Sequence, residues 1–482
     1  MCIRFGTDGW RGVIADDFTF ENVERVAAGI GRYLAEEAST SGPVVVGYDR
    51  RFLSNAFAER ITEVLTAYGI EVELSDAPLP TPALAFWVRW RQAPMGIMVT
   101  ASHNPPQFNG IKIKSQAGCS APPELTAAIE RWVNRSGTQV CRRPLAEAER
   151  EGLLRRFNPS GPYGDHLLSL VDADAIRRAK LRVFADAMHG SAAEYLVSIL
   201  QRAGVDVVPV RVEVNPSFGG VNPEPIEANL RALGERIRTG IAHIGIALDG
   251  DGDRIGVVGP GGEFINPHQI FALLLRHLVE NRKERGEVVR TVSTTQMIDR
   301  LCRHYNLPLH EVPIGFKHIA ALMLERDSLI GGEESGGIGV RGHLPERDGI
   351  LSGLLLLEMM AITGKGILEL RNDLFQLVGE HHYGRIDLHI DGPEGRQAVT
   401  EIGKRPPEAI CGRRVRETNG RDGIKLLLED DSWLMWRASG TEPVVRIYAE
   451  SSSPGDVQKL LNEGEKLLRE MITCIGPIKS LA

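Results

Sequence analysis

Three carboxylates stand at alternate positions in Leu248-Asp249-Gly250-Asp251-Gly252-Asp253-Arg254, directly after the apolar run His243-Ile244-Gly245-Ile246-Ala247. In a tight loop relieved by two glycines they can converge, and like charges a few ångströms apart repel by about 4 kcal/mol per pair at an effective dielectric of ~20. A cation removes that repulsion. Oxygen-only donors select a hard ion such as Mg2+, which keeps open positions for phosphate oxygens or water. A calcium EF-hand does not fit, because Arg254 stands where that loop needs glycine and Pro260 where it needs its bidentate glutamate. A solvated acidic turn is the plain alternative, and the regular alternation of glycine with aspartate argues against it.

Gly96-Ile97-Met98-Val99-Thr100-Ala101-Ser102-His103-Asn104-Pro105-Pro106 is a buried-strand pattern that stops in small and polar residues. Open α/β sheets bind ligands beyond the carboxyl ends of their strands, which places Ser102 and His103 where a site would lie. A serine there acts once activated, or carries a covalent load such as phosphate. Taken alone, Ser-His-Asn-Pro is more often a plain turn. Arg437-Ala438-Ser439-Gly440-Thr441-Glu442-Pro443, with Arg446 just beyond, combines hydroxyls, a glycine-permitted nest of N–H groups and two guanidiniums, the donors that a phosphate dianion needs. Gly331-Gly332-Glu333-Glu334-Ser335-Gly336-Gly337 follows the strand-like Ser328-Leu329-Ile330 and suits sugar hydroxyls, which both donate and accept. Gly337-Ile338-Gly339-Val340-Arg341-Gly342 matches G-x-G-x-x-G, but no strand immediately precedes it and Pro345 follows where a dinucleotide site needs a helix. Phe5-Gly6-Thr7-Asp8-Gly9-Trp10-Arg11-Gly12 can present Arg11 to a phosphate. Lys112 and Lys114 share the face opposite Ile111 and Ile113, where surface lysines are the default. His189, His343, His381 and His382 show no partner in the sequence and are expected to be structural or exposed.

The elements that must position these loops alternate along the chain. Pro43-Val44-Val45-Val46-Gly47-Tyr48 reads as a strand, a helix follows over 55–68, and Ile70-Glu71-Val72-Glu73-Leu74 resumes as a strand. The cadence returns at 181–185, 192–203 and 205–210, and again at 288–292 with helices after Thr295 and Phe316. The rounds share rhythm and almost no residues, so the chain has repeated architecture without a sequence repeat. Three α/β domains with largely parallel sheets are expected, followed by a smaller α+β domain with strands at 385–390, 423–428 and 444–449 and a terminal helix. Joints are expected in the polar stretch 142–163, at Gly259-Pro260-Gly261-Gly262 and near 378–383, giving domains 1–150, 151–260, 261–378 and 379–482. A chain of 482 residues is long enough for that many cores, and 43% hydrophobic with 25% charged residues is ordinary globular composition. Acidic residues (63) outnumber basic ones (56), a net charge of -7 that argues against holding nucleic acid. Six scattered cysteines without a C-x-x-C pair form no zinc pattern, and with no apolar leader they point to a reduced, cytoplasmic chain. The strongest apolar run, 351–362, is broken by Gly353 and Glu358 and is too short to cross a bilayer; it reads as a buried helix.

A metal loop, a loaded serine, an anion nest and a hydroxyl-binding loop make most sense as parts of one cleft. A phosphatase gains nothing from a second phosphate site, whereas a mutase must hold one phosphate while the other end of its substrate reacts. Thr100-Ala101-Ser102-His103-Asn104-Pro105, Asp249-Gly250-Asp251-Gly252-Asp253-Arg254, Gly332-Glu333-Glu334-Ser335-Gly336 and Arg437-Ala438-Ser439-Gly440-Thr441-Glu442-Pro443 resemble, in order, the four signatures of the α-D-phosphohexomutases, and the likeness spans essentially the whole chain. The resemblance implies four domains around a central cleft, three of similar α/β plan with mixed sheets and a smaller C-terminal α+β domain. It implies phosphate on Ser102, one Mg2+ per chain held by that phosphate with Asp249, Asp251 and Asp253, and glucose 1,6-bisphosphate as activator and intermediate. Arg11 and Arg254 would lie near the phosphoserine, with His103 and Lys112 as acid/base candidates. Lys317, Glu333 and Ser335 would meet the sugar, while Arg437, Ser439, Gly440, Thr441 and Arg446 bind the non-reacting phosphate. Glu333-Glu334-Ser335, with Gly337 where glucosamine-type members often carry histidine, favours phosphoglucomutase. The alternatives are a phosphomannomutase or dual-specificity enzyme, then a phosphoglucosamine mutase, a hydrolase or a non-catalytic sugar-phosphate regulator. The expected partner is a small hexose phosphate, with no nucleic acid and no membrane, in a monomer or homodimer.

Overall fold

The computed structural model describes residues 2–6, 8–37, 42–135, 140–390, 392–439 and 443–475. The chain divides into two compact units, Met1–Glu287 with Gly315–Leu370, and Val288–Ile314 with Arg371–Ala482. In the first unit a six-stranded mixed sheet runs in the order Trp10–Val13, Phe108–Ser115, Met95–Val99, Val44–Tyr48, Val72–Ser75, Leu154–Phe157. Its middle strands pair in parallel and are covered on both faces, which is why they read as unbroken apolar runs such as Val44-Val45-Val46. Phe108–Ser115 runs antiparallel to both its neighbours, so it starts at the end of the sheet where Met95–Val99 stops and runs back toward Met95. Val23, Val26, Ile61, Leu65, Ile97 and Ile111 lie in one core between this sheet and its helices.

A five-stranded sheet follows in the order Phe264–Ile265, Ile255–Val258, Ile244–Leu248, Arg182–Asp186, Asp206–Val210. Ile244–Leu248 and Ile255–Val258 form an antiparallel hairpin whose connection is the acidic loop. The unit also holds the hairpin of Ser328–Gly332 with Ile338–Val340, and the helix Gly349–Thr363, buried along nearly its whole length as its all-round apolar sequence requires.

The second unit contains a parallel pair in which residues 288–291 of the strand Glu287–Thr291 meet Leu309–Val312. It also contains an antiparallel sheet in the order His382–His389, Val444–Ser451, Trp433–Ala438, Ile424–Leu428, Arg413–Asn419, Ala409–Ile410. The helices Glu394–Lys404 and Pro454–Ile475 pack on it through Ala398, Ile402, Leu460, Leu461 and Leu468. Among the described residues no single helix is long and apolar enough to cross a membrane.

Two of the expected joints contain or border strands. Within 142–163, Leu154–Phe157 pairs with Val72–Ser75 and extends the first sheet, past the expected border at 150. Its Leu-Arg-Arg-Phe pattern buries only the two ends, so its polarity is that of an edge strand. Gly259-Pro260-Gly261-Gly262 is the turn between Ile255–Val258 and Phe264–Ile265, inside the second sheet.

Candidate active site

Ser102 follows the carboxyl end of the buried strand Met95–Val99 and takes a left-handed conformation, φ 53°, which a residue with a side chain adopts only when its surroundings hold it there. Here the hold is visible. The Ser102 N–H donates to Thr100 Oγ1 at 2.9 Å, and Thr100 Oγ1 donates to Asp49 Oδ2 at 2.6 Å. Arg51, fully buried and 3.2 Å from the same Asp49 oxygen, donates from Nη2 to the carbonyls of Ser102 and Asn104, and from Nη1 to those of Pro105 and Phe108. One guanidinium thus clamps the whole serine turn. On the other side Arg11 Nη1 bonds Asn104 Oδ1.

The Ser102 Oγ donates to Asp249 Oδ2 at 2.8 Å, so the serine meets the acidic loop directly. Asp249, Asp251 and Asp253 are all buried, and one oxygen from each lies within 4.8 Å of the others. Among the described residues they are the one acidic cluster that could hold a metal ion. Burial, then the neighbouring Asp253 and Asp251, push the Asp249 carboxyl well above the usual range. Among the described residues Asp251 Oδ1 and Asp253 Oδ1 are buried without a hydrogen-bond partner, while their Oδ2 atoms meet Lys112 Nζ at 2.8 and 3.0 Å. Each of these carboxylates therefore turns Oδ2 to the Lys112 ammonium, while Oδ1 of Asp253 lies 3.9 Å from Arg254 Nε. That donor set fits a hard divalent ion. The loop is tethered by backbone as well, with the Thr81 N–H donating to Asp251 O at 2.8 Å and the Gly349 N–H to Gly252 O at 3.1 Å.

Lys112 and Lys114 are not surface lysines. Both are buried, Lys112 among Asp8, Asp251 and Asp253, and Lys114 against Glu346 at 2.5 Å. Burial alone would favour neutral Lys112, but three carboxylates outweigh it and hold the ammonium far above its ordinary pKa. Asp8 shows the converse: burial opposes its ionisation, yet Lys112 and Arg347 keep its carboxyl well below the usual range. Burial, followed by repulsion from Arg254 and Arg11, holds His103 well below an ordinary imidazole, which favours its neutral form, and among the described residues its buried Nδ1 makes no hydrogen bond. Arg254 lies 3.8 Å from Glu224 and, through its buried Nε, 3.9 Å from Asp253; among the described residues that Nε makes no hydrogen bond.

The loop 333–337 closes the hairpin Ser328–Gly332 with Ile338–Val340 in the same unit. Glu333 accepts from the Gly315 N–H at 3.1 Å, and burial pushes its carboxyl up to about 7, partly offset by Arg347. Ser335 and Lys317 are half-buried. G-x-G-x-x-G at 337–342 falls on a hairpin strand, so the structure also offers no dinucleotide turn there. Asp8, Asp49, Arg51, Glu346 and Arg347 escaped the sequence reading. The available signal was charge pressed against apolar runs, as in Tyr48-Asp49-Arg50-Arg51 and in Glu346-Arg347-Asp348-Gly349 before the buried helix.

In the second unit, Arg437 Nε donates to Asp422 Oδ1 at 3.0 Å, the Ser439 N–H donates to Val444 O at 2.8 Å, and Arg446 lies 3.5 Å from Asp387. Arg437 and Arg446 stand opposite each other on paired strands, and Arg396, which the sequence reading missed, donates to the Ser439 carbonyl at 2.9 Å. Gly440 and Thr441 lie outside the described residues.

Four family models match in chain order: phosphoglucomutase/phosphomannomutase alpha/beta/alpha domain I at residues 3–139, domain II at 161–262, domain III at 266–378, and the C-terminal domain at 394–466. A phosphoglucomutase/phosphomannomutase of Thermococcus kodakarensis is 29% identical over 469 residues, 97% of this chain and 99% of its own. A phosphoglucosamine mutase of Marinobacter nauticus is 30% identical over 461 residues, 95% of this chain and 96% of its own. A crystal structure from Thermus thermophilus, provisionally named a phosphomannomutase, superposes with a TM-score of 0.86 at 39% identity, covering 97% of this chain and 99% of that one.

Proposed function

Because the chain belongs to the α-D-phosphohexomutase family and is an enzyme of the intramolecular phosphotransferase class, we propose that it interconverts glucose 1-phosphate and glucose 6-phosphate through a phosphoserine at Ser102 and glucose 1,6-bisphosphate. The observation that supports this most is the Ser102 Oγ at 2.8 Å from Asp249, in the acidic loop where, among the described residues, two buried carboxylate oxygens accept no hydrogen bond. Asp249, Asp251 and Asp253, with the phosphate on Ser102, would hold one Mg2+, which supplies positive charge to the transferring phosphoryl group. Arg11 and Arg254 add fixed positive charge. In the first half-reaction the bond from phosphorus to Ser102 Oγ breaks, a bond to the free sugar hydroxyl forms, and the hydroxyl proton passes to the serine oxygen. His103, whose neutral form burial favours, suits the relay of that proton better than Lys112, which three carboxylates keep charged. The bisphosphate then turns, and its other phosphate returns to Ser102.

Glu333, Ser335 and Lys317 are proposed to hold the sugar, and Arg437, Ser439, Gly440, Thr441 and Arg446 the phosphate that does not react. We take the four segments 1–150, 151–260, 261–378 and 379–482 as the working domains, with the first extended by Leu154–Phe157. Relatives carry glucose, mannose and glucosamine names, so the test runs glucose, mannose and glucosamine 1-phosphates side by side with Mg2+ and a trace of glucose 1,6-bisphosphate. Glucose 1-phosphate should turn over fastest. Ser102→Ala should lower that rate at least 1000-fold, a loss of about 4 kcal/mol of barrier lowering. Mass spectrometry of active wild-type protein should find phosphate on Ser102. Release of inorganic phosphate without isomerised sugar phosphate, or an active Ser102→Ala protein, defeats the proposal.

A further inference from the structure

We propose that Arg347 is a positioning residue that sets the charge and pose of Glu333 and ties the sugar loop to the acidic loop. The inference deepens the mutase reading and rests on it. Arg347 lies between the strand Ile338–Val340 and the helix Gly349–Thr363, and its guanidinium is almost wholly buried. Nη2 is 2.7 Å from Asp253 Oδ2 and 2.8 Å from Asp8 Oδ2, and Nη1 is 3.5 Å from Glu333 Oε2. A single planar cation with fixed donor directions therefore meets a carboxylate of the acidic loop and the carboxylate of the sugar loop at once.

Two further features hold it there. Glu346 lies 3.6 Å from Arg347 Nε and accepts the Arg347 N–H at 3.1 Å, and it is anchored by Lys114 in an ion pair with no exposure on either side. Gly337 makes room: a Cβ at that position would fall 2.2 Å from Arg347 Cδ and 3.4 Å from Glu333 Oε2. The glycine of the sugar loop and the arginine beyond it are thus matched, and neither changes without moving the guanidinium off Glu333.

The charged groups facing Glu333 are Arg347 and Arg254, which favour its carboxylate, and Glu334 and Asp8, which oppose it. Removing the Arg347 charge raises the pH at which Glu333 ionises, so activity that needs the carboxylate is lost at a higher pH as the solution is acidified. The substrate phosphate titrates alike in every variant and does not confuse the comparison.

The experiment compares wild type, Arg347→Lys, Arg347→Met, Gly337→Ala and the Gly337→Ala/Arg347→Met double variant. It reads the acid limb of kcat/KM for glucose 1-phosphate and, on a Ser102→Ala background, the pH dependence of glucose 1-phosphate binding by calorimetry. Arg347→Met should move both limbs up by about one pH unit or more and lower kcat/KM at neutral pH at least 30-fold. Arg347→Lys, which keeps the charge, should leave the limb within about 0.3 of a unit while losing activity. Gly337→Ala should move the limb in the direction of Arg347→Met, and the double variant no further than Arg347→Met alone. Gly337→Ala keeps every charge and decides the matter alone if Arg347→Met does not fold. Limbs unchanged in Gly337→Ala and Arg347→Met, or additive shifts in the double variant, overturn the inference. A wild type without mutase turnover, but with a binding limb that moves as described, overturns the mutase reading and leaves the role of Arg347 standing.

Discussion

Lys425 shows what an interior charge does away from the chemistry. Its ammonium donates to Val292 O at 2.7 Å and sits 4.2 Å from the Trp433 ring centroid, and burial, with repulsion from Arg290, brings its pKa down to about 7. In the unfolded chain a lysine titrates near 10.4, so between about pH 7 and 10 the unfolded state holds a proton that the folded state has lost. The cost of burying this lysine is therefore largest below pH 7 and fades as the pH rises. Lys425→Met should stabilise the protein by on the order of 2 kcal/mol at pH 6.5 to 7, with the gain shrinking toward pH 10. Denaturant melts across that range check it, and a gap that stays constant or widens contradicts it. Residues of this kind were hidden from the sequence reading for a common reason. Asp249, Asp251 and Asp253 announce themselves because their partners are each other. Lys112 pairs with Asp251 across 139 residues, Lys114 with Glu346 across 232, and Arg347 with Asp8 across 339, and no local pattern records such meetings. The lysine alternation on Phe108–Ser115 was legible; that the face it occupies is buried was not.

At the scale of elements, the site depends on two turns pressed together. A Cβ on Gly250 would lie 2.4 Å from the Ser102 carbonyl, the same carbonyl that Arg51 holds at 2.6 Å, so the acidic turn and the serine turn touch backbone to backbone. Gly250→Ala should push them apart and lower kcat at least 100-fold while costing about 1–3 kcal/mol of stability. Turnover and a denaturant melt of the one variant measure both, and near wild-type turnover would show that the turns have room to give. Arg51→Met should be worse for folding, by about 3–5 kcal/mol, because it strands the buried Asp49 carboxylate. Most strands around these turns were readable, since parallel strands covered on both faces are continuous apolar words such as Val44–Tyr48 and Ile244–Leu248. Leu154–Phe157 was missed because its two central arginines face water at the sheet edge, a pattern that local composition cannot tell from a linker.

At the scale of the molecule, the four-domain α/β class expected from the sequence is the observed one, with mixed sheets early and an antiparallel sheet last. The acidic cluster belongs to the unit Met1–Glu287 with Gly315–Leu370. Mg2+ at 100 times its dissociation constant should therefore stabilise that unit by about 2.7 kcal/mol, and a chelator should remove the gain. Differential scanning calorimetry with Mg2+ or EDTA reads the shift; identical traces would mean that the aspartates do not gather an ion in the resting protein.

The tethers of the acidic loop also set an order of events during synthesis. A ribosome that has finished residue 300 has already made all three aspartates, the serine and Lys112, yet neither the N–H of Gly349 nor the guanidinium of Arg347 exists. The nascent chain at that point carries all three aspartates on a loop that still lacks two of its contacts, the hydrogen bond from Gly349 to the Gly252 carbonyl and the ion pair of Arg347 with Asp253.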